Sequence, residues 1–156
     1  MNKNLVNPLK ITNRSQINKN NQINKKQKNT HVSIRRQPFL KQYVFYAIIN
    51  TDLHMNRGAA AANIAKSLMF LHNILDSDQV KSQYVDSWMK TGQRIVILKG
   101  YDHKHLKYLE DELKFIAIQT YAVRHFWNRN QAIIALAVFG LKEDIEEIFE
   151  GMSYLR

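Results

Sequence analysis

The chain of 156 residues contains no cysteine and only two prolines and five glycines. Without cysteine it has no disulfide framework, no thiolate nucleophile and no Cys-ligated metal. No uninterrupted apolar run approaches the roughly 18 residues that a membrane-spanning helix needs, so we expect no membrane span. At this length we expect one domain with a sizeable hydrophobic core.

Acidic residues are absent from residues 1–42, which contain ten of the 23 lysines and arginines. All thirteen acidic residues lie in residues 43–156, together with the other thirteen basic ones. The net charge of +10 therefore belongs to the first segment, and the remainder is neutral. A block of one charge sign repels itself and favours a polyanionic partner. We divide the chain into a basic N-terminal arm, residues 1–42, and a body, residues 43–156.

The arm is low in complexity and dominated by Asn, Lys, Gln and Ile, without a sustained helical or strand period. Too few large apolar groups are present to offset the entropy of ordering it alone. Lys and Arg neutralise phosphates, and Asn and Gln bond to sugars and base edges, so the arm predicts RNA binding. The predicted RNA contacts in the arm are Lys3, Lys10, Arg14, Lys19, Lys25, Lys26, Lys28, Arg35, Arg36 and Lys41.

Two other interpretations of the arm remain open. One is a solvated tail whose Asn, Lys and Ile reflect an AT-rich coding sequence. The other is a mitochondrial targeting segment, since acidic residues are absent. The arm is Lys/Asn-rich rather than Arg/Ser-rich, however, and lacks an amphipathic helix.

The body begins with Tyr43–Ile49, an apolar run rich in β-branched and aromatic residues that predicts a buried strand. Asn50–Asp52 has turn chemistry. After Gly58, Ala59–Ala62 leads into apolar residues at helical spacing. A strand, a tight turn and a helix with a small-residue start predict the first unit of a three-layer α/β fold.

The rest of the body predicts further alternation of helices and strands. The predicted segments are a helix over Val80–Lys90, a strand over Arg94–Lys99, a helix over His103–Phe115 capped by Asp102, a strand over Gln119–Val123, a polar-aromatic loop over Phe126–Asn130, a central apolar strand over Ala132–Phe139 ended by Gly140, and an acidic helix over Lys142–Met152. The predicted order is β-α-α-β-α-β-β-α.

Three side-chain clusters were candidates for chemistry. His103 and His105 lie two positions apart, which does not suit helical metal ligands, and we expect no metal or cofactor. The acidic residues of 143–150 predict a solvated helix face, or one that meets a basic protein neighbour. In His125–Asn130, Trp127 and Arg129 suit base stacking and phosphate contact. The alternative for this last segment is a loop whose Phe and Trp cap the core.

Four segments together resemble a known family: TDLHMNRGAAAANIAK, GQRIVILK, YAVRH and AIIALAVFG. In order and spacing they are similar to the archaeal/eukaryotic-type peptidyl-tRNA hydrolases, the second peptidyl-tRNA hydrolase fold. The resemblance covers about residues 43–156. It implies a four-stranded mixed sheet with helices on both faces, in agreement with the predicted element order.

The family's site residues transfer only in part. Its first motif, T-D-L-x-M-x-K-G-K-x-A-A-Q-x-x-H, is matched here at Thr51, Asp52, Leu53, Met55 and Gly58. The positions that differ are occupied here by Arg57 for the first lysine, Ala59 for the second, Asn63 for the glutamine, Lys66 for the histidine and His125 for the aspartate of V-R-D. An ester hydrolase needs a proton acceptor and oxyanion donors. The aspartate of the family's V-R-D motif, and the hydroxyl of the threonine that follows this motif in the family, are both missing here.

The leading hypothesis is therefore a non-catalytic peptidyl-tRNA-hydrolase-like protein in a ribonucleoprotein, in contact with rRNA and neighbouring proteins. A mitochondrial ribosome is the expected assembly, and a cytoplasmic location the alternative. We expect no small-molecule substrate. Two rival hypotheses remain: an active peptidyl-tRNA hydrolase with a rearranged site, in which His125 acts as a base, and an accessory structural subunit of a mitochondrial protein complex.

Overall fold

Four strands and four helices make up the part of the chain that the computed structural model describes, residues 41–127 and 130–155. They are β1 (Tyr43–Asn50), α1 (Arg57–Asp76), α2 (Lys81–Lys90), β2 (Ile95–Gly100), α3 (His103–Phe115), β3 (Gln119–Trp127), β4 (Asn130–Leu141) and α4 (Lys142–Glu146). The predicted order of elements is confirmed. Almost all of the arm lies outside the described residues.

The strands form one mixed sheet in the order β2-β1-β4-β3. β1 pairs parallel with β2 and antiparallel with β4, which also pairs antiparallel with β3. The two most apolar runs of the body thus occupy the centre, as predicted for β4, because strands covered on both faces are apolar throughout. β1, β2 and β3 run in one direction, so their carboxyl ends lie at the same edge of the sheet.

The alternation of side chains along β1 separates the two faces of the sheet. Val44, Tyr46 and Ile48 lie in a core with residues of α3 and α4. Phe45 and Ile49 point the other way, into clusters with residues of α1 and α2. We call these the α3 face and the α1 face. The three-layer architecture predicted from the sequence is confirmed.

Side-chain caps mark the starts of two helices, and the cap predicted at Asp102 is confirmed. Asn56 precedes α1 and accepts a hydrogen bond from the Ala59 N–H at 2.8 Å. Asp102 precedes α3 and accepts one from the His105 N–H, also at 2.8 Å. Each cap satisfies an N–H group that has no partner within its own helix.

Two strand boundaries were predicted wrongly. Phe126–Asn130 was predicted as a loop, but β3 continues to Trp127, which pairs with Asn130 of β4. Phe and Trp favour extended pairing, so the hairpin continues beyond the apolar run. Gly140 was predicted to end its strand, but it lies inside β4. A Cβ there would come within 2.8 Å of Cδ1 of Ile145, so Gly140 permits a close approach.

The final helix is shorter than predicted. α4 ends at Glu146, and the next turns use bonds between residues three apart, from the Phe149 N–H to Glu146 O and from the Met152 N–H to Phe149 O. Ile145 and Phe149 are nevertheless buried. Tighter turns present the same apolar side chains to the core.

The last described residues cover the outer edge of β2. The Lys99 N–H donates to Ser153 O at 2.8 Å, and the Leu155 N–H donates to Ile97 O at 3.0 Å. This short antiparallel contact satisfies edge groups that would otherwise be open to pairing with another chain. Within the described residues, no helix combines the length and the apolar character required to span a membrane.

Candidate functional site

The carboxyl ends of β1, β2 and β3 bring three connections to one edge of the sheet. They are the β1–α1 loop, the β2–α3 loop and the hairpin end at which Trp127 pairs with Asn130. α1 and α3 both begin there. In α/β sheets ligands bind preferentially outside the carboxyl ends of strands. We call this region the carboxyl edge, and it contains the family positions of the first motif.

The β1–α1 loop is held against the β2–α3 loop. Thr51 donates to Gly100 O through its N–H at 3.1 Å and through its hydroxyl at 2.6 Å. The Asp52 N–H donates to Tyr101 O at 3.1 Å. Thr51 and Asp52 of the first motif therefore join two loops, and the Thr51 hydroxyl is already used in that contact.

His54 adopts an unusual backbone conformation in the same loop. Its φ is 45°, in the left-handed region that non-glycine residues rarely occupy. Its ring Nδ1 donates to Asp52 O at 2.6 Å, and this bond supports the turn. The side chain is exposed at the carboxyl edge.

A β-bulge in the hairpin is held by two side chains. The pairing of β3 with β4 shifts between Val123 and Arg124, near Ile133. Asn50 Nδ2 donates to Ile133 O at 2.9 Å, while Asn50 Oδ1 accepts from the Asp52 N–H at 3.0 Å. The Ile133 N–H donates to His103 Nδ1 at 3.0 Å. Asn50 and His103 thus satisfy both backbone groups of Ile133, and we call this arrangement the bulge clasp.

The family positions on α1 include two exposed cations. Arg57 and Lys66 are exposed, and Ala59 is half-buried. Asn63 donates through Nδ2 to Ala59 O at 2.9 Å, so its amide is bonded to its own helix. Ala59, Asn63 and Lys66 share one face of α1, because they lie four and three positions apart.

His125 and Arg124 point to opposite faces of β3. Val123 belongs to the α1-face cluster, so alternation places His125 on that face too, where it is exposed. Arg124 faces α3 and donates through one nitrogen to both carboxylate oxygens of Glu110, at 2.7 and 2.6 Å. Arg124, the arginine at the family's V-R-D motif, is therefore paired with a buried carboxylate.

Sequence reasoning missed Glu110, which is 2% exposed. Burial raises its pKa, but hydrogen bonds from Lys114 and Arg124 outweigh that effect, so the pKa of Glu110 lies below its ordinary value. The sequence alone indicates an ion pair between Glu110 and Lys114, because Lys114 lies four residues further along α3. No local pattern linked Glu110 to a residue of β3.

Carboxylates and imidazoles are available at this edge. Asp102 caps α3, and Asp52 is exposed on the β1–α1 loop. His125 is the imidazole at the family's aspartate position. Among residues 41–127 and 130–155, no three or more His, Asp or Glu side chains form a cluster suited to a metal ion.

Most of the predicted RNA-binding residues lie outside the part of the chain that the structure describes. Lys41 is exposed at the start of the described part, and Trp127 ends β3. The remaining predicted contacts lie outside the described residues: Lys3, Lys10, Arg14, Lys19, Lys25, Lys26, Lys28, Arg35, Arg36 and Arg129. The predicted division at residue 42 is likewise not tested.

Comparison with known proteins gives one family. Residues 43–155 match the family described as peptidyl-tRNA hydrolase PTH2, which covers more than two thirds of the chain. A search of curated proteins finds no match. The matched range includes every described strand and helix, together with the carboxyl edge and the bulge clasp.

Proposed function

The chain belongs to the peptidyl-tRNA hydrolase PTH2 family, and we propose that this member binds RNA as a structural component of a ribonucleoprotein without cleaving an ester. The proposal has two parts, an RNA-binding role for the arm and the loss of hydrolysis in the body. The two parts are supported by different observations.

The observation that carries RNA binding is the separation of charge. Ten cations and no anions lie in residues 1–42, beside a body with thirteen of each. Each phosphate neutralised by a Lys or Arg releases counterions, so such an arm favours a polyanion over a neutral surface. Members of a family named for a tRNA substrate already act on RNA, and the arm extends that preference to a larger contact.

The loss of hydrolysis is supported by the family positions. The second lysine is replaced by Ala59, and the Asn63 amide is bonded to Ala59 O at 2.9 Å. The aspartate position is His125, a neutral or cationic group in place of an anion. These changes remove the family's acidic group and weaken the positioning of a water molecule.

The assembly we propose is the mitochondrial ribosome. The absence of acidic residues in the arm is compatible with import into mitochondria, and a translation-related fold suits a ribosomal position. Purification of the tagged protein from mitochondria, followed by RNA sequencing, tests both location and partner. Recovery with rRNA supports the proposal, and recovery that nuclease treatment does not reduce would favour a protein-only complex instead.

RNA binding is tested in the full chain with matched charge changes. Arg35→Gln with Arg36→Gln removes two arm cations, and Lys81→Gln with Lys142→Gln removes two from the body. Affinity for a tRNA transcript is measured across salt concentrations. We expect the arm variant to lower the slope of log affinity against log salt by about 1.4–1.8, since each phosphate contact contributes about 0.7–0.9. Equal slopes in both variants would contradict the role of the arm.

Family membership favours a second candidate, an active peptidyl-tRNA hydrolase with a rearranged site. In that case His125 would accept the proton of the attacking water, and Arg57 would stabilise the developing oxyanion. Release of an N-blocked amino acid from tRNA distinguishes the two candidates. Turnover that is lost in His125→Ala and retained in the control His72→Gln would establish this candidate, whereas no turnover by the wild-type chain supports the first.

A further inference from the structure

A groove of about 480 Å³ lies on the α3 face of the sheet, beside α4. Its apolar floor comes from the sheet and from the turns that follow α4, and one side carries three carboxylates. The floor is lined by Tyr46, Val96, Leu98, Phe149 and Met152, and the carboxylates are those of Glu146, Glu147 and Glu150. We call it the acidic groove. It does not include residues of the carboxyl edge.

Tyr46 places a polar group at the floor of the acidic groove. The residue is 5% exposed, and its ring packs 4.9 Å from that of Phe149. Within residues 41–127 and 130–155, its hydroxyl has no hydrogen-bond partner. Among the fully enclosed side-chain nitrogen and oxygen atoms of those residues, only the Thr120 hydroxyl lacks a partner. The Tyr46 hydroxyl, which also lacks one, is therefore not fully enclosed and is open to the groove. A buried tyrosine ordinarily has a partner for its hydroxyl.

The electrostatics of the groove favour a cation. Burial raises the pKa of Tyr46, and the nearby Glu146 carboxylate raises it further, while Arg94 opposes the rise in part. Glu146 pairs with Lys142 at 3.5 Å, but Glu147 and Glu150 have no ion pair within the described residues. Both lie on the groove and are exposed. Two uncompensated carboxylates beside an apolar floor are complementary to a positively charged side chain with an apolar stem.

We propose that the acidic groove binds an arginine side chain on a basic segment of a partner protein. A guanidinium is planar, pairs with carboxylates through two N–H groups and stacks on aromatic rings. Glu147 and Glu150 would accept its N–H bonds, Tyr46 would accept a further one, and Tyr154, 63% exposed at the rim, would supply a ring face. This site is separate from the carboxyl edge and does not depend on the function proposed there.

The experiment uses the full chain and a defined probe. The probe is a capped eight-residue peptide of alternating arginine and leucine, titrated by calorimetry and followed by backbone amide resonances. We expect saturable binding with shifts at Gly151 and Met152. Glu147→Gln with Glu150→Gln should weaken binding at least tenfold. Tyr46→Phe should weaken it several-fold without loss of fold, because it removes a hydroxyl that has no partner.

The matched control is Glu143→Gln with Asp144→Asn, which removes the same charge from residues that do not line the groove. We expect less than a twofold change in affinity for this variant. A peptide with lysine in place of arginine should bind more weakly, because an ammonium lacks the planar pair of N–H groups. Equal weakening in both double variants, or no saturable binding by the wild-type chain, would overturn the proposal.

Discussion

The N–H of Ile133 donates a hydrogen bond to His103 Nδ1 at 3.0 Å, across 30 residues of sequence. The same residue's carbonyl accepts from Asn50 Nδ2 at 2.9 Å, across 83 residues. A β-bulge leaves backbone groups without partners in the strand ladder. Asn50, at the carboxyl end of β1, and His103, at the start of α3, take their place, and the hairpin is thereby tied to the β1–α1 and β2–α3 loops.

We expect Asn50→Ala to destabilise the protein by about 1–3 kcal/mol, because it leaves the buried Ile133 carbonyl without its amide donor. The Asp52 N–H would lose one of its two acceptors and keep Tyr101 O. Urea unfolding monitored by circular dichroism measures the change. Asn73→Ala, at an exposed position of α1, is the control and should stay within about 0.5 kcal/mol. Equal stability of the two variants would show that the bulge clasp contributes nothing.

Replacement of Glu110 by Gln should cost about 1–3 kcal/mol, because it removes a buried carboxylate that accepts hydrogen bonds from Lys114 and from the more exposed Arg124. Asp111→Asn is the matched control. It removes the neighbouring carboxylate on the same helix, which pairs with Lys107 at the surface. The control should change the free energy of unfolding by less than about 1 kcal/mol. An equal loss of unfolding free energy in both variants would contradict the expectation that the buried carboxylate contributes more than the exposed one.

The lowered pKa of His105 predicts that the protein loses stability in mild acid. Burial lowers its pKa, and the Asp102 carboxylate opposes this effect in part, so the folded chain releases the proton more readily than the unfolded one. The contribution is fully present above the ordinary value of about 6.5 and is lost as the pH falls through the folded value. The Tyr101 N–H donates to His105 Nδ1 at 3.2 Å, and that bond requires an unprotonated nitrogen.

Unfolding in urea at pH 7.5, 6.5 and 5.5 measures this effect. The wild-type chain should lose stability across the range, and His105→Gln should lose less. His54→Gln is the control, because that ring donates from Nδ1 to Asp52 O and does not accept from a backbone N–H. A pH dependence that is the same in wild type and His105→Gln would assign the acid effect to other groups.

Gly100 and Gly58 should respond in opposite ways to alanine. At Gly100 a Cβ would clash with the Leu106 side chain and approach Cγ2 of Ile48 to 2.9 Å, so we expect a loss of about 1–3 kcal/mol. At Gly58 a Cβ would meet Asn56 Oδ1 at 3.5 Å, an ordinary contact. Gly58→Ala should leave stability unchanged or raise it by up to about 1 kcal/mol. Thermal unfolding of the two variants decides between these outcomes.

The hairpin shows where interpretation of the sequence failed. The sequence predicts a loop at Phe126 and Trp127, because the apolar run ends before them and polar residues follow. Pairing with β4 extends the strand to Trp127, since each added residue gains ladder bonds from a partner already in register. Local composition carries no information about that partner. The prediction that Gly140 ends its strand is wrong for a similar reason. Glycine is needed there because the Ile145 side chain approaches the backbone closely, and Ile145 belongs to another element.

The sequence by itself determined the order of strands and helices, the burial of β1, and the separation of charge between a segment of +10 and a neutral remainder. These follow from periodicity and composition, which act within a few residues. The tertiary structure alone decided the bulge clasp, the pairing of Arg124 with Glu110 and the acidic groove. Each of these joins elements distant in the chain, and their distances depend on sheet register and helix packing, which no local pattern encodes.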